Sequence, residues 1–251
     1  ATQSGGLFLI AKGFNTDTYA SVLTNPMVHT GFLTSIIVTV IGTFCGTLFT
    51  AMTSFALSKD RLRGGTVILY LILFTMLFGG GMIPSYMLVR KLNLLDTRWA
   101  LILPSLMNAY NIIIMRNFFK AIPESLEESA RIDGASDARI FFQIVLPLSK
   151  ASIATIGLFI AVGYWNDYFS TVLYINRDTT KWSLQAVLRF LLTNTSEAMN
   201  RAGVSATSDI NVTPATTRAA STVVTTIPIL IVYPFVQKYF VQGVMIGGVK
   251  G

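Results

Sequence analysis

One cysteine, one histidine and few charges define this chain first by what it cannot be. Cys45 stands alone inside an apolar run, which excludes a disulfide framework and a cysteine-based metal site. His29 has no second histidine to complete a two-histidine metal motif. A nucleophile elbow of the G-x-S-x-G type is missing, and so is a phosphate-binding loop: Gly79-Gly80-Gly81 has no lysine behind it, and the terminal GGVKG lacks the spacing. Any ATP used with this protein is therefore bound by another chain. Charge is scarce too. Asp, Glu, Lys and Arg make up 12% of the 251 residues, where soluble domains carry about 25%. The formal charge of +7 does not mark a nucleic-acid binder, because no Lys/Arg cluster is interleaved with aromatics. The cations flank apolar runs instead, where they reach lipid headgroups and bias topology.

What is present is apolar. Hydrophobic residues are 52% of the chain, and mean hydropathy is +0.59. Runs without Asp, Glu, Lys or Arg extend from Thr18 to Ser58, Gly64 to Val89, Trp99 to Met115, Ala151 to Asn166 and Ala219 to Gln237. A membrane helix needs about 20 mostly apolar residues. The predicted fold is therefore all-α, a single polytopic transmembrane bundle over 1–251, with five spans near 30–57, 66–89, 99–119, 149–175 and 219–240. Gly42-x-x-x-Gly46 in the first span allows close helix approach. Gly79-Gly80-Gly81 and Pro84 predict a kink in the second.

Residues 1–29 form an outer surface segment in this reading, with Phe14, Tyr19, Val22 and Leu23 on a short amphipathic helix. The start, ATQSGGLFLI, has no basic n-region and reads like the middle of a longer protein. Lys59, Arg61 and Arg63 fill one short turn, and Arg90, Lys91 and Arg98 another, so the positive-inside rule ties between them. The cations at 116–150 break the tie. They place 59–64, 116–150 and the C-terminal tail (243–251) in the cytoplasm, and 1–29, 90–98 and the long polar loop 176–218 outside.

The stretch from Pro123 to Pro147 is the most charged long segment. Pro123 suits the first helical position, and Glu124, Glu127 and Glu128 suit the positive end of a helix dipole. Gly134 is a left-handed stop, Ser136 a cap for a second helix and Pro147 its end. The prediction is helix–Gly–helix with about 11 residues in each arm. Ile140, Ile144, Phe141 and Val145 share a stripe that would lie along the membrane interface. A well-capped connector and a docking element fit these features equally.

The spacing of Glu128-Ser129-Ala130-x-x-Asp133-Gly134-Ala135, followed by Ile144-x-Leu146-Pro147, resembles the EAA–G–I-LP signature of binding-protein-dependent ABC importer permeases, with Ser129 in place of an alanine. SFALSKDRLRG, MRNFFKAIPESLEE, YWNDYF and GGVKG are similar to the sugar-importer branch that includes the maltose permease. FGGGMIPSYMLVRKLNLLDTRWALILPSL looks closest to importers of complex oligosaccharides, among them alginate and pectin-fragment systems. Family members usually have six spans, which implies a further span ahead of the outer surface segment.

The resemblance implies a multi-pass protein of the bacterial cytoplasmic (inner) membrane that is not itself an enzyme. Its implied partners are a second homologous permease subunit, an ATPase dimer carrying ATP and Mg, a periplasmic or lipid-anchored sugar-binding protein, an oligosaccharide and the bilayer. No cofactor or metal is expected in this chain. Glu128, Ser129, Ala130, Asp133, Gly134 and Ala135 would form the ATPase-coupling site, and the glycine-rich tail would reach the ATPases as well. Asn108, Tyr110, Asn111, Trp165, Asn166 and Asp167 are candidates for a sugar cavity, since aromatic and polar groups at membrane depth are functional hypotheses; amides also glue helices together. Two alternatives remain: a permease for amino acids or phosphate, and an ion-coupled secondary transporter using Asp167.

Overall fold

The computed structural model describes residues 24–191 and positions 193, 219, 222, 223, 226, 227 and 230. The predicted surface helix, the loop beyond 193, most of the last span and the tail lie outside the described residues. Among the described residues the fold is helical, without strands.

Helix α1 (Pro26–Ser58) is the axis of the molecule. Asn25 caps it by accepting from the Met27 amide at 2.9 Å, and Pro26 occupies the first turn, where no amide proton is needed. Its 33 residues span about 50 Å at 1.5 Å per residue, more than a bilayer core. The buried side of α1 consists largely of small residues, including Gly31, Ser35, Gly42, Gly46, Ala51 and Ser54. A Cβ on Gly42 would lie 2.5 Å from the Tyr164 ring, and one on Gly46 would lie 2.9 Å from the Leu106 carbonyl oxygen. The Gly-x-x-x-Gly pair therefore seats two particular neighbours. Tyr164 uses the closeness to donate its hydroxyl to the Ile102 carbonyl at 2.8 Å.

After Lys59 the chain turns through left-handed Gly64 (φ 79°) into α2 (Gly65–Leu77) and α3 (Met82–Lys91), which meet at 114°. The predicted kink is in fact a sharp corner, a bend of 114°. Gly81 (φ 85°) makes the corner, and Pro84 falls in the first turn of α3, where it interrupts no helical hydrogen bond. The third predicted span is also divided. Helix α4 (Trp99–Ile102) tightens into a 3-10 turn at Leu103–Ser105, and α5 (Ala109–Lys120) starts afresh under the Asn108 cap.

Helix α6 (Glu124–Ile132) and helix α7 (Asp137–Leu148) flank Gly134. α7 continues across Pro147 by adopting a π turn at Phe141–Val145, then bends by 85° at Ser149 into α8 (Lys150–Asn166). The fourth span ends there, and α9 (Phe169–Tyr174) is separate. Residues 184–191 are helical again. By length and composition α1 alone can cross a membrane among the described residues, or three elements if each bent pair, α2–α3 and α7–α8, counts as one span.

The core forms where α1, α5 and α8 meet the α7 stripe: Phe55, Met115, Ile140, Val145, Ile156 and Tyr164 are buried together. Ile140 and Val145 are fully enclosed and Phe141 nearly so, with Phe141 5.2 Å from the Phe55 ring. The α7 stripe thus faces protein, not the membrane interface. Its four apolar side chains fill the space above the end of α1, where contact with other side chains replaces contact with lipid.

Candidate coupling site

Helix α6 begins one residue later than its proline suggested: Pro123 is the N-cap (ψ 127°), and Glu124 opens the helix. Its end is a Schellman motif. The Ala135 amide donates to the Ala130 carbonyl at 2.9 Å and the Gly134 amide to the Arg131 carbonyl at 3.0 Å, with Gly134 at φ 80°. Ser136 then caps α7 by accepting from the Arg139 amide at 3.4 Å.

The two faces of α6 differ in chemistry. Glu124, Ser125, Glu128, Ser129 and Ile132 face outward, continuous with Asp133 and Gly134; Ile132 is 86% exposed. Ala130 and Ala135 turn the other way, onto the core. Four of the predicted coupling residues therefore share one open surface, and the two alanines set how closely it sits against the bundle.

The inner face is electrostatic. The Glu127 side chain is 4% exposed and receives the Lys59 ammonium, while Arg131 lies 3.6 Å away. Arg131 also approaches Asp137 at 3.5 Å, and Arg61 donates to the same carboxylate. Lys120 pairs with Asp60 at 2.7 Å; that hydrogen bond holds the Asp60 carboxyl below its ordinary range. Lys59 also lies 4.4 Å over the Phe55 ring, and Arg116 donates to the Leu57 carbonyl at 2.8 Å. A cavity of about 220 Å³ sits among these groups. The basic turn at 59–64, read above only as a topology signal, is the clamp on the acidic segment. Lys59, Arg61, Glu127, Arg131 and Asp137 were missed as a group. The available signal was a basic triplet and an acidic segment assigned to the same side.

The opposite end of α1 is organised by another carboxylate. Asp96 (φ 58°) accepts from the Asn176 and Arg177 amides, both at 2.8 Å; these bonds, that to Arg177 foremost, keep its carboxyl below the ordinary range. Lys181 donates to the Asp96 carbonyl at 2.9 Å, and the Leu184 amide to Ser35 at 2.8 Å. The 90–98 turn and the start of the 176–218 loop thus share one end of the molecule, and the 59–64 turn and the 123–147 segment share the other.

The sugar-cavity candidates divide between two helix breaks. Asn108 caps α5, accepting from the Tyr110 amide at 2.8 Å, and Tyr110 is half exposed beside it while Asn111 is buried. Trp165 is buried with Val28, Leu184 and Val187, edge-on to Phe32 at 6.0 Å, so its ring is a packing element. Asn166 is exposed and donates to the Val162 carbonyl at 3.0 Å. Asp167 accepts from the Ser170 amide at 3.1 Å, and its carbonyl accepts from Ser183 at 3.0 Å. No group of metal-ligating side chains occurs among the described residues.

The described residues form a helical bundle with a clamped, capped helix at one end. The chain belongs to the family of binding-protein-dependent transport system inner membrane components, matched over residues 27–246. It is 46% identical over 243 residues to the polygalacturonan/rhamnogalacturonan transport system permease protein YtcP of Bacillus subtilis, covering 97% of this chain and 84% of the relative. Identity to protein LplC of the same organism is 46% over 249 residues, 97% and 82% of the two chains. Among solved structures, a bacterial ABC transporter involved in the import of the acidic polysaccharide alginate matches with a TM-score of 0.84 and 36% identity, over 96% of this chain and 85% of that one.

Proposed function

We propose that this chain is the permease subunit through which an ATP-driven importer moves oligosaccharides derived from acidic polysaccharides. The observation that carries the reading is the α6–Gly134–α7 element: its outward face is exposed and acidic, while its inward face is tied to α1 through buried Glu127. A partner that pushes on Glu128, Ser129, Ile132 and Asp133 therefore moves α1 as well. The partner is an ATPase dimer on the cytoplasmic side, which holds ATP and Mg; this chain needs no cofactor of its own. A second homologous permease completes the translocation path, and a sugar-binding protein delivers substrate to the face that carries the 176–218 loop. Two similar transporters favour an acidic sugar: one is a polygalacturonan/rhamnogalacturonan transport system, and the other is involved in the import of the acidic polysaccharide alginate. Asn108 and Tyr110, polar and exposed at a break in the membrane region, are the groups best placed to meet it.

Uptake into vesicles holding the assembled importer tests this. Oligogalacturonide uptake that requires ATP and the binding protein, and is lost in Glu128→Lys and Gly134→Pro, is the expected result. If both variants transport normally while Asp167→Asn abolishes uptake, the protein is an ion-coupled carrier instead. Thermal-shift profiles of the binding protein against neutral sugars, acidic sugars, amino acids and phosphate decide the solute class.

A further inference from the structure

We propose that the cavity beside the basic end of α1 is a binding site for an anionic phospholipid. The cavity measures about 550 Å³, within the range of pockets that hold small ligands. One wall is apolar, formed by Met52, Phe55, Phe141 and Phe142. The other carries Lys59, Arg61 and Arg63, with Asp137 the one carboxylate in the lining.

The charges are not all used. Lys59 is held by Glu127 and Arg61 by Asp137. Arg63 is exposed and makes no ion pair or hydrogen bond with any described residue. The Arg61 side chain is 51% exposed and keeps donors to spare, since a guanidinium has five N–H groups in a planar fork. Two guanidiniums beside one cavity recognise a phosphodiester. They disfavour a headgroup that also carries its own cation.

The acyl chains have a route. Ile41, Phe44 and Met52 follow one another on α1 at helical spacing, and all are exposed. This apolar stripe leads along the membrane-spanning helix into the cavity, whose rim residues Met52 and Phe142 are 46% and 54% exposed. An apolar track ending in cations at the border of a membrane protein matches a lipid with a negative headgroup, not a free soluble anion. The lipid would sit against α7 and α1 together, beside the ion-paired clamp.

Native mass spectrometry of the complete importer, titrated separately with phosphatidylglycerol and phosphatidylcholine, tests the site. The wild-type complex is expected to retain phosphatidylglycerol preferentially. Arg63→Gln should lower that retention about fivefold, the effect of one cation near a membrane surface. Met52→Trp should lower it by filling the cavity, and Arg63→Lys, which keeps the charge without the planar fork, should lower it less than Arg63→Gln. The subunit masses in the same spectra show that the variants assemble. Equal retention of the two lipids, or no loss in Arg63→Gln and Met52→Trp, overturns the proposal. Displacement of the lipid by inorganic phosphate overturns it in favour of a simple anion site. Loss of the ATPase from the Arg63→Gln complex with lipid retention unchanged overturns it in favour of a protein contact.

Discussion

Two helix–glycine–helix elements in this molecule behave as opposites. At α6–α7 the single Gly134 sits in a doubly hydrogen-bonded cap, and charged residues from α6, α7 and the 59–61 turn hold it against the bundle. At α2–α3 three glycines make a 114° corner, α2 has no buried residue, and a Cβ on Gly79 or Gly80 would meet nothing within 4 Å. One element is fixed to the bundle; the other is a corner whose Gly79 and Gly80 have open space beside them. What separates them is not glycine but what the flanking helices bind.

Changes at the two elements sharpen that contrast. The largest effect on uptake is expected from Gly134→Pro. A proline cannot adopt φ 80° and removes the amide that bonds Arg131, so ATP-driven uptake should fall by at least about tenfold, since more than about 1.4 kcal/mol of cap strain is introduced. Gly80→Ala should leave uptake within about twofold of wild type, because the added methyl meets no neighbour. Strong loss in Gly80→Ala would mean that the corner needs glycine for more than space.

Next is the clamp. Glu127→Leu strands the largely buried Lys59 ammonium and should destabilise the assembled permease by about 3–5 kcal/mol. Adding Lys59→Met should recover most of that loss in denaturant melts. Uptake in the double variant separates roles: if stability returns but uptake does not, the ion pair transmits force as well as holding the fold.

Gly42→Ala comes third. A methyl 2.5 Å from the Tyr164 ring forces α1 and α8 apart at a cost of about 1–3 kcal/mol, readable as a lower melting temperature. The smallest effect belongs to the exposed Asp60–Lys120 pair. The folded Asp60 carboxyl sits below its ordinary value of 3.8, so its contribution is present above that pH and disappears as pH falls through the lowered folded value. Asp60→Asn should therefore differ slightly from wild type in melting temperature near neutrality and match it in strong acid.

Much of the helical organisation was legible in the residues. Uncharged runs locate the membrane segments, Ser136 marks a helix start, and Gly134 marks a stop; each signal acts over a few neighbouring positions. The spacing from Glu128 to Pro147 likewise pointed to the family before any contact was known. Three features were not legible. The direction of the chain after Gly79 depends on backbone angles that glycine leaves open. The burial of Ile140, Phe141 and Val145 depends on Phe55 and Met115 arriving from other helices. Trp165 looked like a sugar platform because its type suits one, and only Phe32, Val28 and Leu184 around it reveal a core residue.

Local chemistry alone determined that this is an apolar, helical chain with a capped acidic segment. Hydropathy, caps and glycine positions depend on neighbouring residues, so no fold is needed to read them. Tertiary structure decided what that segment holds. Lys59 and Glu127 are 68 residues apart, and Arg61 and Asp137 are 76. A charge names its opposite only by sign, and several acids were available to each cation. The packing of α1 against α5, α7 and α8 brings these particular pairs into contact, and burial makes the Glu127 pairing one that cannot be broken cheaply.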